Sequence, residues 1–378
     1  MRLFGMEMKK IFSWKLLLLI AVVNVLLFYL RLEFELEHFP NGRPATDLFR
    51  IEQQLIPEYG ARIDDNELLE IKALYADRVT AANAFFGKED NAQVLGITGY
   101  KEFRAMDTAD PELSAYYSDL MFESGQDFLW ELQAWELLIE NFEARYSAIK
   151  AQIERTDGAR QQHYEQQLAE ERFAFYSSTV LENFLNYKTY MAIIILISVA
   201  ILMSPVFLRD YRAGMLPIQY TAKVGRGVYR AKWLAGLCST AILTVLLLAI
   251  YMSLYWSNGT ASHFATPLSS FGWYDHWYDM TFFEYILLSV ASIFVVAMLL
   301  GVLSMAISTI VPNAIVLIGI QIVVLFIMIA GVTMYLIRDI IILYLPQMLV
   351  PAAYLVLFGI IFISFGWIWR RELRKDIV

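Results

Sequence analysis

Six stretches of about twenty mostly apolar residues constrain this chain more than anything else in it. A hydrocarbon layer about 30 Å thick needs roughly 20 residues of helix to cross it. Runs of that length fall near 11–30, 189–208, 233–256, 282–303, 314–336 and 349–369. Backbone amides have no water to bond within lipid, so each run must close its hydrogen bonds as a helix. The expected fold class is therefore an all-α polytopic membrane protein. The first run follows Lys9 and Lys10 like a signal peptide, but its core is long and Arg31-Leu32-Glu33 follows with no small-residue cleavage site; it reads as an uncleaved anchor. Residues 338–348 are apolar but short and proline-punctuated, and read as a re-entrant or interfacial helix.

Charge divides the chain sharply. Residues 32–188 carry 14 Lys/Arg against 30 Asp/Glu, whereas the rest carries 16 against 8. An acidic, polar block is thus set into an apolar, mildly basic frame. Its one cysteine, Cys238, lies in an apolar run, so no disulfide framework supports the block. Basic residues fix the expected orientation, because cytoplasmic segments are enriched in Lys and Arg. Arg2, Lys9, Lys10 and Lys15 flank the first run. Arg209, Arg212, Lys223, Arg226, Arg230 and Lys232 crowd the connection after the second, and Arg370, Arg371, Arg374 and Lys375 follow the last. Six crossings put all three clusters on one side. Both termini are then cytoplasmic, and 32–188 is an extracytoplasmic domain between spans one and two. Trp14, Trp233, Trp256, Trp273, Trp277, Trp367 and Trp369 at run ends or in the 257–280 loop read as an interface belt.

The acidic block is patterned for helix. Asp64 and Asp65 precede a helix near 65–86, and Asp110-Pro111-Glu112 opens another, with a side-chain acceptor before a proline that has no amide to satisfy. Residues 91–100 read as loop or a short strand. From Phe128 through Leu132, Trp135, Ile139, Phe142, Tyr146, Ile149 and Ile153 the apolar intervals alternate four and three, a heptad seam. Asp157-Gly158 marks a turn. A second apolar run, from Leu168 to Tyr187, leads without proline or glycine into the second span. Residues 126–188 are therefore expected to form an antiparallel helical hairpin, each arm reaching about 45 Å at 1.5 Å per residue. The expected domains are 1–31, an interfacial segment and first span; 32–188; and 189–378, five spans with a loop at 209–232 and a tail at 370–378.

Motifs for self-contained chemistry are missing from the sequence. There is no phosphate-binding loop, no nucleophile elbow and no zinc-protease helix. His263, Asp275, His276 and Asp279 share a loop without metal-site spacing, and read as a polar loop. Span interiors show essentially no ionisable residue; Lys15 and Glu284 sit at edges. Asn24 and Gln321 are the strongly polar side chains near mid-span, read chiefly as inter-helix hydrogen bonders and secondarily as pathway residues. A transporter without coupling charges takes its energy from elsewhere.

The loop after span two, FLRDYRAGMLPIQYTAKVGRGVYRAKWLAGL, is basic and leaves room for a short helix between Arg209 and Tyr220. Asp210 just after the span, Gly214 four on, Tyr220-Thr221, Gly225-Arg226 and Lys232 opening the next span resemble the permease loop of bacterial ABC exporters, type-2 class. Asp stands for the commoner Glu, and no proline precedes Gly225-Arg226. The MEMKKIFSWK start resembles that family's interfacial segment, and six spans with an outer domain and an outer short helix before the last fit its plan. The resemblance implies a transport subunit that is no enzyme and binds no cofactor, with ATP used by a separate ATPase subunit. Its loop would be a coupling helix, with Asp210, Tyr211, Arg212, Gly214, Met215 and Leu216 at the contact and Gly225, Arg226 and Lys232 positioning the return. The implied partners are that ATPase, a second permease subunit, identical or related, and the plasma-membrane bilayer; no nucleic acid is expected. The alternative is a membrane-anchored sensor or assembly factor working through its helical outer domain.

Overall fold

The computed structural model describes residues 2–215, 227–272 and 275–374. It is helical, with isolated β-bridges such as Tyr176–Phe271 and Pro267–Thr281 and no strand among the described residues. Six helices are long and apolar enough to cross a membrane: Trp14–Glu37, Thr179–Arg212, Gly227–Asn258, Phe282–Ile310, Ala314–Arg338 and Leu349–Trp367. Each contains or overlaps one of the runs read from hydropathy. The chain divides into two compact units, one of residues 1–38, 183–259 and 283–378, the other of 39–182 and 260–282. The acidic block thus does not stand alone: the loop after the third span belongs to the same unit.

In the membrane-type unit, a separate helix, Arg2–Ile11, precedes the first span and packs along Gly227–Tyr255, where Ser239 Oγ donates to Met8 Sδ at 3.1 Å. The chain turns at Ser13, whose extended backbone ends one helix and whose carbonyl accepts from Leu16 and Leu17 in the next. The most apolar window of the second span is 72% buried, against 11%, 17% and 6% for the first, fifth and sixth. The second span is therefore the core of this unit, while the other three present apolar side chains such as Leu26, Phe326 and Phe362 outward.

Polar side chains fasten the spans to one another. Asn24 donates to Ser198 Oγ at 2.8 Å and accepts from Tyr251 Oη at 2.7 Å, tying spans one, two and three. Gln321 exchanges hydrogen bonds with Ser304 across spans five and four. Both act as inter-helix hydrogen bonders. At the far ends of the first three spans, Asn183 and Asn258 donate to the Glu35 carbonyl at 2.8 and 3.1 Å. Spans three and four approach where side chains are smallest: a Cβ on Gly301 would stand 2.7 Å from Thr240 Oγ1, and one on Gly236 would run into Met305. The fifth span ends in π-helix, Met328–Arg338, and 339–348 follow as turns rather than the expected short helix. Asp339 takes a hydrogen bond from Tyr344 there, which a side chain makes readily in a turn.

The second unit is a helical assembly around Phe86, Tyr100, Phe103, Leu129 and Leu132. Asp64 caps Asp65–Phe86 in a full capping box with Glu67, and Asp110 caps Pro111–Ser118. Residues 90–94 form a short helix instead of a loop or strand. Half of the heptad seam serves the core. Leu132, Trp135, Ile139 and Phe142 on Asp127–Glu143 are buried, but beyond a break at Ala144 the seam residues Tyr146, Ile149 and Ile153 of the Arg145–Arg155 helix are not. That helix pairs with Gly158–Ala169 as a short hairpin.

The expected long second arm is interrupted. Residues 170–178 leave the helix, with Glu171 at φ +51°, and Phe175 and Tyr176 donate backbone amides to the Ser270 carbonyl. Helix resumes at Thr179, after Ser178 bonds Glu182 at 2.6 Å. Buried polar pairs stitch the unit. Asp47 lies between Arg43 and Arg50 at 2.6 and 2.9 Å. Glu52 accepts from the Ser177 amide at 2.6 Å and pairs with His263 Nε2 at 3.1 Å, both side chains fully enclosed.

Candidate functional site

The basic connection between spans two and three leaves and returns through one polar cluster. Pro205 starts a short terminal helix, Pro205–Arg212, that prolongs the second span. Proline suits a first helical position because its missing amide would have had no partner there. Helical spacing then places Arg209 and Asp210 in different surroundings. Asp210 is 8% exposed and forms an ion pair with Lys232, which is 2% exposed on the incoming third-span helix. Arg209 instead reaches the N-terminal segment, donating to the Lys10 carbonyl and to Ser13 Oγ at 3.2 Å. Glu7, also buried, pairs with Lys10 at 2.6 Å, and its charge bears on Lys232 as well.

Aromatic rings close the cluster off. Phe207 lies 5.6 Å from the Lys232 ammonium, 5.4 Å from Tyr229 and 5.7 Å from Trp233. Trp233 in turn stands edge-on to Phe365 of the last helix at 5.0 Å. It is 3% exposed, so it is a packing residue and not part of an interface belt, whereas Trp14, Trp256 and Trp367 are more than half exposed. The Phe207 and Leu208 amides donate to Ser308 Oγ of the fourth span at 3.2 and 3.3 Å. Five elements therefore converge on the two feet of one loop: the N-terminal helix and spans two, three, four and six.

The sequence-derived loop residues divide accordingly. Asp210 and Lys232 meet, so Asp210 is an internal counter-ion rather than an outward contact; a lone carboxylate at that depth would be costly. Tyr211, at 51% exposure, and Arg212, Gly214 and Met215 are exposed. Gly214 has φ +63°, a conformation other residues rarely take, where the chain leaves the helix. Leu216, Gly225 and Arg226 lie outside the described residues, as does the remainder of the expected short helix up to Tyr220.

A buried cation escaped the sequence reading. The expected second span starts at residue 189, but the helix begins at Thr179 and carries Lys188 fully buried among the spans. Its ammonium donates to Tyr285 Oη at 2.6 Å and Ser289 Oγ at 3.3 Å, with the Tyr285 ring 4.1 Å away. No carboxylate lies within ion-pairing distance of it among the described residues; the field of Asp339 reaches it from further off. The interiors are thus not free of ionisable groups. The signal that could have located it is Thr179-x-x-Glu182, a helix-start pattern, which moves the helix nine residues upstream of Lys188.

The polar loop residues of the second unit also have partners. His263 holds Glu52, Asp275 accepts from Tyr164 at 2.7 Å, and Asp279 pairs with Arg62 at 2.7 Å. No family model matches the chain, and no curated protein or solved structure matches it.

Proposed function

We propose that the chain is the membrane-spanning subunit of an ATP-driven exporter, coupled through the 209–232 loop to a separate ATPase. The observation that carries the reading is the buried Asp210–Lys232 pair at the feet of that loop. A force applied to an ordinary surface loop is absorbed by its own flexibility. Here both feet are bonded to one another and to the N-terminal segment and the fourth span, so displacement of the loop moves packed helices. The lack of a phosphate-binding loop in the sequence fits an energy source on another chain.

In this reading Tyr211, Arg212 and Met215 form the described part of the ATPase contact, while Asp210 and Lys232 position it. Both termini and the loop are cytoplasmic and the membrane is the plasma membrane. The weakly buried first, fifth and sixth spans face lipid and a second permease subunit. Affinity purification from the native host tests it. An ATPase carrying a phosphate-binding loop is expected to accompany the chain, and Tyr211→Ala with Arg212→Glu is expected to release it without unfolding the spans. Failure to recover any ATPase from cross-linked membranes overturns the proposal. Function that survives both loop substitutions but not changes in the second unit favours a sensor or assembly factor instead.

A further inference from the structure

Within the second unit a cavity of about 570 Å³ opens between the Arg145–Arg155 and Gly158–Ala169 hairpin and the 172–179, 269–272 and 275–279 segments. That volume falls in the range of small-molecule sites, about 300–1,000 Å³. One wall is apolar, made by Leu138, Ala148, Ile149, Phe173, Phe175 and Phe271. The polar lining is unevenly charged. Asp275 is occupied by the Tyr164 hydroxyl, and Asp279 by Arg62 and the Ser269 amide. Burial, reinforced by the nearby Arg172 charge, lowers the proton affinity of His163, so its imidazole is neutral at pH 7. Arg172 is likewise taken up, by Glu170 at 2.9 Å and Asp279 at 3.6 Å. What remains is Arg145, ion-paired through one terminal nitrogen only, and Arg155, both lining the space in a chain segment that is otherwise strongly acidic.

Arg145 is the decisive residue. Its side chain is 9% exposed and lies 4.1, 4.6 and 5.3 Å from the rings of Phe142, Tyr146 and Phe173. One terminal nitrogen donates to the Phe142 carbonyl at 2.8 Å, and the other meets Asp65, whose own side chain is 74% exposed. The Nε–H is buried with no acceptor. A buried donor left unsatisfied is costly, more so when charged, and a guanidinium fork is shaped to hold a planar anion. Arg155 has no ion-pair partner among the described residues. An apolar wall facing an incompletely paired arginine is complementary to one chemical class.

We propose that this cavity binds a small amphipathic carboxylate, its anionic head on Arg145 and its apolar body against Ile149, Leu138 and Phe173. The proposal stands whether or not an ATPase partners the chain, since it rests on the second unit alone.

Three soluble naphthalenes of one shape test it by fluorescence titration against the full chain in lipid nanodiscs: 2-naphthoate, 2-naphthalenemethanol and 2-naphthylmethylamine. Empty nanodiscs supply the partitioning baseline. The expected order is anion, neutral, cation, with the anion at least about tenfold tighter than the alcohol, the scale of one charge-assisted hydrogen bond. Arg145→Gln should remove that preference, and Arg160→Gln, which takes a guanidinium off the same hairpin away from the cavity wall, should leave it. If Arg145→Gln fails to fold, Ile149→Trp serves instead, because it fills the cavity from a position that is only partly buried. Equal binding of anion and alcohol, tighter binding of the amine, no saturable binding to 1 mM (about the weakest useful affinity), or indifference to Ile149→Trp overturns the proposal. Tighter binding of 2-naphthyl phosphate than of the carboxylate would reassign the head group and so also overturn it.

Discussion

Replacing Lys232 by methionine would take its cationic partner from the buried Asp210 carboxylate, and breaking such a pair costs about 3–5 kcal/mol. Lys232→Met is therefore expected to lower the thermal midpoint of the purified chain markedly. The Asp210→Asn, Lys232→Met double variant should recover most of the loss, and a double loss equal to the sum of the singles would show that the pair is not coupled. Lys188 calls for the opposite outcome. Its hydroxyl partners retain other acceptors, Ser289 on the Tyr285 carbonyl at 2.8 Å and Tyr285 on the Arg338 carbonyl at 3.4 Å. Lys188→Met should leave the midpoint unchanged or raise it, since apolar replacement of buried charge is often neutral or stabilising; a clear fall would show that the ammonium holds the helices together. Glu89 sets a pH dependence. Burial opposes its charge, but hydrogen bonds from the Tyr116 hydroxyl and the Ala92 amide outweigh this and hold it below the usual carboxylate range. The folded-state value is lower than the unfolded one, so its contribution is present at neutral pH and lost as pH falls through the folded value. Glu89→Gln should flatten the acid limb of the unfolding curve, and an unaltered limb would exclude this role. The Asp210–Lys232, Lys188–Tyr285 and Glu89–Tyr116 pairings could not be read from spacing alone, because each joins elements distant in sequence, whereas the Glu89–Ala92 bond is a local helix cap.

At the scale of elements, the six long helices were legible because the need to close backbone hydrogen bonds in lipid leaves an apolar run few alternatives. Caps were legible for a similar local reason: Asp64 and Asp110 satisfy amides two and three residues away. The second arm of the hairpin was not. Nothing in Glu170-Glu171-Arg172 forbids helix, and the segment departs from it because Ser270 offers an acceptor from a remote loop. The seam misled in its second half for a related reason, since a heptad predicts a face without naming what covers it. Helix approach makes a sharper forecast. Gly301→Leu should separate spans three and four at Thr240 and abolish accumulation of folded chain, measured by detergent-resistant size-exclusion recovery, while Gly301→Ala should cost less because Thr240 can turn aside. Normal recovery of the leucine variant would show that the spans do not close so tightly.

For the whole molecule, the proposed orientation makes one clear forecast. In a Cys238→Ser background, Lys101→Cys should react with a membrane-impermeant thiol reagent only from outside intact cells, and Arg212→Cys only after permeabilisation; the same response from both would refute the orientation. The division into units was partly legible: charge marked 32–188, but the loop at 260–282 carries too little charge to declare its membership. That membership has a consequence for the order in which the protein is made. Residues 39–182 leave the ribosome first, yet His263 and the Ser270 carbonyl arrive only after 183–259 have been synthesised. During that interval Glu52 lacks its imidazole, and the 175–176 amides lack their acceptor. The nascent unit must wait, half-built, for two further helices to enter the bilayer. Translation arrest between residues 182 and 260 should thus leave it protease-sensitive, however long the pause.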